Sequence, residues 1–180
     1  VVSAMLQGPA PGDAPVWYQK HMAHHLLPET DRSWMDSVRH CFLVRSPASM
    51  LASLHAKTPF PSLEDTGLPQ QVRLFEEAMA SGDGIPPVLD ADDVLGNPEG
   101  VLRKACERLG VEFQEGMLSW PPGLRDTDGA WAPFWYHSVE TSTGFRPPSE
   151  EEPVLPTELH AVLESCMECY ETLYRHRIKE

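Results

Sequence analysis

Arg45 and Ser53 stand eight positions apart in "HCFLVRSPASMLASL", residues 40–54, where an apolar run that favours a buried strand turns into a segment that favours a helix. A guanidinium offers a planar fork of donors that matches phosphate oxygens, and a hydroxyl one or two turns into the following helix can complete the grip. The helix start beside Arg45 adds orphan N–H groups and the positive end of a dipole, both of which favour an anion. An ordinary ion pair with one of the chain's many carboxylates accounts for Arg45 equally well.

Three more clusters carry reactive types. "KHMAHHLL" supplies Lys20, His21, His24 and His25. On a helix His21 and His25 would share a face at i, i+4 spacing, as in zinc hydrolases, and Asp90, Asp92 and Asp93 are further oxygen ligands, although no glutamate lies between the histidines. The plain reading of the cluster is solvated or packing histidines at a strand exit, and of Asp92 and Asp93 the capping of the next helix. Cys166 and Cys169 have C-x-x-C spacing, but they lie deep in a helical pattern with no second pair after them, where cysteines act as small hydrophobes.

The elements that must position these residues follow from periodicity and punctuation. The run 41–44 reads as a parallel strand covered on both faces. Ser46 and Pro47 then start a helix that turns Met50, Leu51 and Leu54 inward. Residues 16–20, "VWYQK", predict an earlier strand, with "HMAHHLLPE" as its exit. A helix centred on Val72, Phe75, Ala78 and Met79 is expected within 61–84, ended by Gly82 and Gly84, and a third strand over 88–90. Asn97 as cap, Pro98 at the first position, the stripe Leu102, Ala105, Cys106 and Leu109, and Gly110 as stop mark a further helix. Strands alternating with helices imply an α/β fold with a parallel sheet. Beyond Phe113 a Trp-, Pro- and Gly-rich stretch reads as a long ordered loop, in which Trp131, Trp135 and Tyr136 either wall an apolar acceptor pocket or anchor the loop. A polar linker, 146–156, leads to a C-terminal helix running to about 177, with Leu159, Leu163, Cys166, Tyr170 and Leu173 on one face. The whole of 1–180 is expected to form one domain.

Charge narrows the function classes. With 14 basic and 27 acidic residues the formal charge is −13, which argues against nucleic-acid and anionic-membrane surfaces. No apolar stretch approaches the roughly 20 residues that span a bilayer, and "VVSAMLQGPAPG" lacks a signal-peptide layout, so the expected location is the cytoplasm.

The strand "FLVR" followed by "SPASMLAS", together with the block "VLDADDVLGNPEGVLRKACERLGV", resembles the sulfotransferase family, over residues 16–113. The resemblance implies a three-layer, P-loop NTPase-like α/β fold that moves a sulfuryl group from 3′-phosphoadenosine 5′-phosphosulfate to a hydroxyl or amine of a small-molecule acceptor. It assigns Arg45 and Ser53 to the cofactor's 3′-phosphate. The family's amino-terminal phosphate loop does not occur in these residues and is expected upstream of Val1; otherwise the chain is a non-catalytic remnant that keeps the phosphate grip. The carboxyl-terminal Gly-rich basic loop of the cytosolic members is likewise absent, with "DGAWAPFWYHSVETSTGF" in its place. Sulfuryl transfer needs a base for the acceptor's proton and a cation for the departing bisphosphate. Where relatives with a K-x-H motif carry the base, this chain has Met22, so the reading moves the base to His24, with Lys20 as the cation and His21 as the neighbouring candidate; the K-x-M-A-H-H segment resembles a bacterial branch of the family.

Overall fold

The computed structural model describes residues 6, 8, 12, 14–82, 84–125, 128, 137–149 and 151–179. Two short parallel strands form the sheet among them. β1, Phe42–Val44, pairs with β2, Val88–Asp90, in the register Phe42 to Val88 and Val44 to Asp90. The peptide N–H of Ile178 donates to the Val88 carbonyl at 2.9 Å, so the chain's last residues continue the ladder on the far side of β2. The result is a mixed α/β architecture; a three-layer sheet is not seen in these residues.

Helices follow each strand. Ser46 precedes α1, Pro47–His55; its carbonyl accepts the first helical bond from Met50, but its hydroxyl makes no cap bond, contrary to expectation. The single helix expected within 61–84 is two: α2, Leu63–Thr66, and α3, Leu68–Ala80. Ser62 and Asp65 form a reciprocal capping box at the start of α2, and Gly67 ends it at φ 73°, a left-handed conformation that glycine adopts without cost. α4, Ala91–Gly96, and α5, Pro98–Leu109, come after β2, α5 being capped by the Asn97 side chain accepting from the Gly100 N–H. Gly110 closes α5 at φ 63°, the stop expected from the sequence, while the N–H of Val111 reaches back to the Cys106 carbonyl. A short helix, α6, spans His137–Glu140, and the C-terminal α7 spans His160–Tyr174 after a 3-10 turn at Thr157–Leu159.

α3 and α7 cover one face of the sheet. Phe42, Val44 and Val88 bury themselves against Phe75, Leu74, Ala78 and Leu173, with the Phe42 and Phe75 rings edge to face at 5.4 Å. Each such apolar side chain stabilises by about 1.5–3 kcal/mol on burial. The opposite face departs from the expectation of a doubly covered strand: Leu43 is 60% exposed and Cys41 lies outside β1, exposed. Leu43 also turns its carbonyl away from β2, where the Gln71 carboxamide donates to it at 2.8 Å. The expected strand at 16–20 does not form. Val16, Trp17 and Tyr18 are exposed, and a strand is stabilised by cross-strand packing on a half-buried surface that these residues lack.

The end of β2 is tied to α7. Asp90, 3% exposed, accepts from the N–H groups of Asp92 and Asp93 at 3.0 and 3.3 Å and from the Tyr170 hydroxyl at 2.8 Å. Burial first, and then the bond to Asp90, push the Tyr170 hydroxyl's pKa upward, so the phenol stays a donor. Tyr170→Phe removes a donor to a buried charged acceptor and should lower unfolding stability by about 1.5–3 kcal/mol in urea titrations, whereas Glu158→Gln, on the exposed 3-10 turn, should stay within about 0.5 kcal/mol of the parent. A Tyr170→Phe value as small as the control's would show that the bond holds nothing together.

Candidate functional site

The carboxyl ends of parallel strands are where α/β folds take ligands, and here that edge joins Arg45, directly after β1, to the acidic turn after β2. Arg45 is exposed, at the mouth of α1. Ser53, also exposed, lies two turns further along, on the helix stripe that begins at Ser46, about 10 Å up the axis. Both groups expected to grip a phosphate therefore face solvent from one strand–helix unit.

The acidic turn is not the capping arrangement anticipated. Asp90, inside the strand, caps α4; Asp92 and Asp93 occupy its first turn. Asp93 accepts from the Arg177 Nε at 2.9 Å, and that guanidinium lies 3.6 Å from the centre of the Tyr174 ring, itself stacked on Tyr170 at 4.9 Å. Asp92 is exposed. Its carboxyl is held above the ordinary carboxylate range by partial desolvation and the negative charge of Asp90, with Arg45 acting in the opposite direction. No group of three or more potential ligands converges on a cation position among the described residues. His21 and His25 also lack the shared helical face that a zinc reading needs, because only Ala23–His25 is helical, as a 3-10 turn.

The histidine segment packs against a different pair of helices. The 3-10 turn leans on α2 and α3, and a Cβ built on Gly67 would stand 3.3 Å from His24 Nδ1, so a side chain there would press on the imidazole by a few tenths of an ångström, while the left-handed backbone favours glycine in any case. His24 is half-buried, its ring edge to face with His25 at 4.4 Å. His21 is exposed, 3.3 Å from the Gln19 carboxamide and tilted against the Trp34 ring at 5.9 Å; Lys20 is exposed. α1 also packs on α2, so the helix carrying Ser53 and the turn carrying His24 share a neighbour. Trp131, Trp135 and Tyr136 lie outside the described residues. Asp65 and Gly67, which set the surroundings of His24, escaped the sequence reading, although "SLEDTG" carries a capping-box spacing and a glycine stop.

Desolvation, then the neighbouring His25, lower the His24 pKa below its ordinary 6.5, against the pull of Asp65. Between the lowered midpoint and about 6.5 the unfolded chain binds the extra proton, so this contribution to stability is complete above about 6.5 and is lost as pH falls through the folded midpoint. Proton NMR of the His24 ring should give a midpoint under 6.5, lower still in Asp65→Asn; a midpoint above 6.5 would show that burial does not dominate.

A family model described as a sulfotransferase domain matches residues 4–177. Two Arabidopsis thaliana proteins are similar: branched-chain-amino-acid aminotransferase-like protein 2, 32% identical over 176 residues that make up 98% of this chain and 31% of the relative, and branched-chain-amino-acid aminotransferase-like protein 1, 35% identical over 159 residues, 88% of this chain and 28% of the relative. The chain thus spans about a third of the length of these relatives. No solved structure matches. With nearly every residue inside the family model, this chain belongs to the sulfotransferase family.

Proposed function

We propose that the chain transfers a sulfuryl group from 3′-phosphoadenosine 5′-phosphosulfate to the hydroxyl or amine of a small-molecule acceptor. The observation that carries this reading is the exposed Arg45 guanidinium at the end of β1, with Ser53 on the following helix, inside a sulfotransferase domain. In an acidic protein this supplies the local positive charge that a 3′-phosphate needs. The relatives' names describe aminotransferase-like proteins, each between three and four times the length of its match, and the family model supports the sulfuryl reading for these residues.

The acceptor's proton goes to His24. Burial keeps that imidazole neutral near pH 7, the form a general base needs. Nδ1 faces Gly67, which leaves Nε2 on the far side of the ring to take the proton. As the acceptor oxygen or nitrogen bonds to sulfur, the bond from sulfur to the bridging phosphate oxygen breaks, and adenosine 3′,5′-bisphosphate departs with that electron pair. Lys20 stabilises the charge on the bridging oxygen, and His21 is the alternative base two residues nearer the chain start than Ala23. Trp131, Trp135 and Tyr136 are proposed to wall the acceptor pocket. The cytoplasm is the proposed location; the cysteines among the described residues are free thiols, as that compartment keeps them, and no helix of the described residues is long and apolar enough to cross a membrane.

Calorimetric titration tests the grip. Adenosine 3′,5′-bisphosphate should bind more tightly than adenosine 5′-phosphate, and Arg45→Ala should cost about 1.5–3 kcal/mol, tenfold or more, for the bisphosphate alone. Equal affinities for the two nucleotides would remove the 3′-phosphate role. His24→Ala should lower turnover by about 10²–10⁴-fold and leave bisphosphate affinity nearly unchanged, whereas Lys20→Ala should reduce both. If His24→Ala keeps full turnover while His21→Ala loses it, the base is His21; bisphosphate binding without turnover on any hydroxyl or amine acceptor would favour a binding-only protein.

A further inference from the structure

The segment that carries His24 meets α3 at two places. The first is Gly67, the residue before the helix, whose backbone lies against the imidazole. The second is Glu77, about 15 Å further along the helix axis. Its two carboxylate oxygens accept from Nε and Nη2 of Arg32, each at 2.9 Å. The remaining nitrogen, Nη1, donates to the carbonyls of Leu27 and Pro28 at 3.1 and 3.3 Å. Those carbonyls follow directly on the 3-10 turn Ala23–His25, which closes at Leu26. One guanidinium therefore ties the exit of the histidine turn to α3 through four bonds. Exposed single ion pairs contribute little, but a two-pronged fork on a part-buried carboxylate holds geometry as well as charge. Ala23 and Leu26 pack on the core and set the depth of the turn. A segment held at one point of a helix can still pivot about it; a second attachment along the same helix removes that freedom.

Building on the proposed assignment of His24 as the base, we propose that Arg32 is a positioning residue for the transfer reaction: clamped on Glu77, it holds the histidine turn against Gly67 and so fixes the burial and the reach of the His24 imidazole. Arg32 itself touches no reacting group. Its effect passes through the turn, and a base displaced by about an ångström can lose as much as a hundredfold in rate.

The test follows two quantities on the full chain: the His24 midpoint by proton NMR, and the release of adenosine 3′,5′-bisphosphate from 3′-phosphoadenosine 5′-phosphosulfate with hydroxyl and amine acceptors. In Arg32→Ala the turn should lift into water, so the midpoint should rise toward about 6.5 and turnover should fall about 10–100-fold, with bisphosphate affinity within about twofold of the parent. His25 and Asp65 are the titratable groups acting on His24, and every variant leaves them in place. Arg32→Lys keeps the charge but not the fork, and should behave like Arg32→Ala. Glu77→Gln keeps one acceptor oxygen and the two carbonyl bonds, so it should give a smaller change in both quantities; it decides the matter if Arg32→Ala does not fold. Arg103→Ala, which removes an ion pair from α5, should leave both quantities at the parent's values. A parental midpoint in folded Arg32→Ala and Arg32→Lys overturns the proposal, and so does loss of bisphosphate binding together with turnover, which marks a general loss of structure. A raised midpoint with parental turnover shows that His24 is not the base, and the role of Arg32 falls with that assignment. A parent that binds the bisphosphate but releases none from the donor removes the sulfuryl reading itself.

Discussion

The carboxylate of Asp90 is the constraint on which the ligand-facing end of the fold depends. Buried carboxylates are costly unless their oxygens are satisfied, and this one is satisfied from two directions: by the first-turn amides of α4 and by Tyr170 of α7. One ion therefore sets where α4 begins, holds α7 against the sheet and, through the β1–β2 register, places Arg45 relative to the acidic turn. Arg177 and Tyr174 extend the same anchor by taking Asp93, and Arg177 also pairs with Val88, whose carbonyl accepts from the Ile178 N–H, so residues 177–178 close the far side of β2.

That anchoring explains how a chain of net charge −13 can present a usable positive group. Long-range potential disfavours anions over most of the surface. At the strand ends, however, two of the three adjacent carboxylates have their charge spent on internal donors. The exposed Arg45 guanidinium lies beside the amide end of α1, the setting that the proposed phosphate site would use.

Local signals were legible where one residue type has one physical use. Pro98 after Asn97, Gly110 at a left-handed stop, and the apolar run of β1 all led to the elements that form. The misreadings arise where tertiary context decides. Asp92 and Asp93 resemble caps, yet the cap is Asp90, because a strand residue pointing inward can reach the same amides and also meet Tyr170, eighty residues away. Gly67 was passed over inside a helical pattern, since α3 resumes at once and the periodicity hides the break. "VWYQK" has strand-forming types but no buried face to spend them on, and Leu43 shows the converse, a β1 residue whose outer face is open. Arg45 and Ser53 were legible because a strand-to-helix junction alone fixes both positions; the environment of His24, assembled from three separate segments, was not.

The four-residue α2 has a role out of proportion to its length. It is too short to be stable alone, and its capping box supplies only local bonds, so its position must come from what packs on it: α1, α7 and the turn bearing His24. Ser53 and His24 are thereby referred to one common element, with Gly67 as the joint that lets α3 leave without displacing the imidazole. On the proposed reading Ser53 belongs to the donor grip and His24 is the base, and two such groups must keep their spacing to within a fraction of an ångström for a transfer reaction to gain from it. A rigid packed wedge between the two does this more directly than the long path through β1 and α3, because side-chain packing at native density transmits position with little slack.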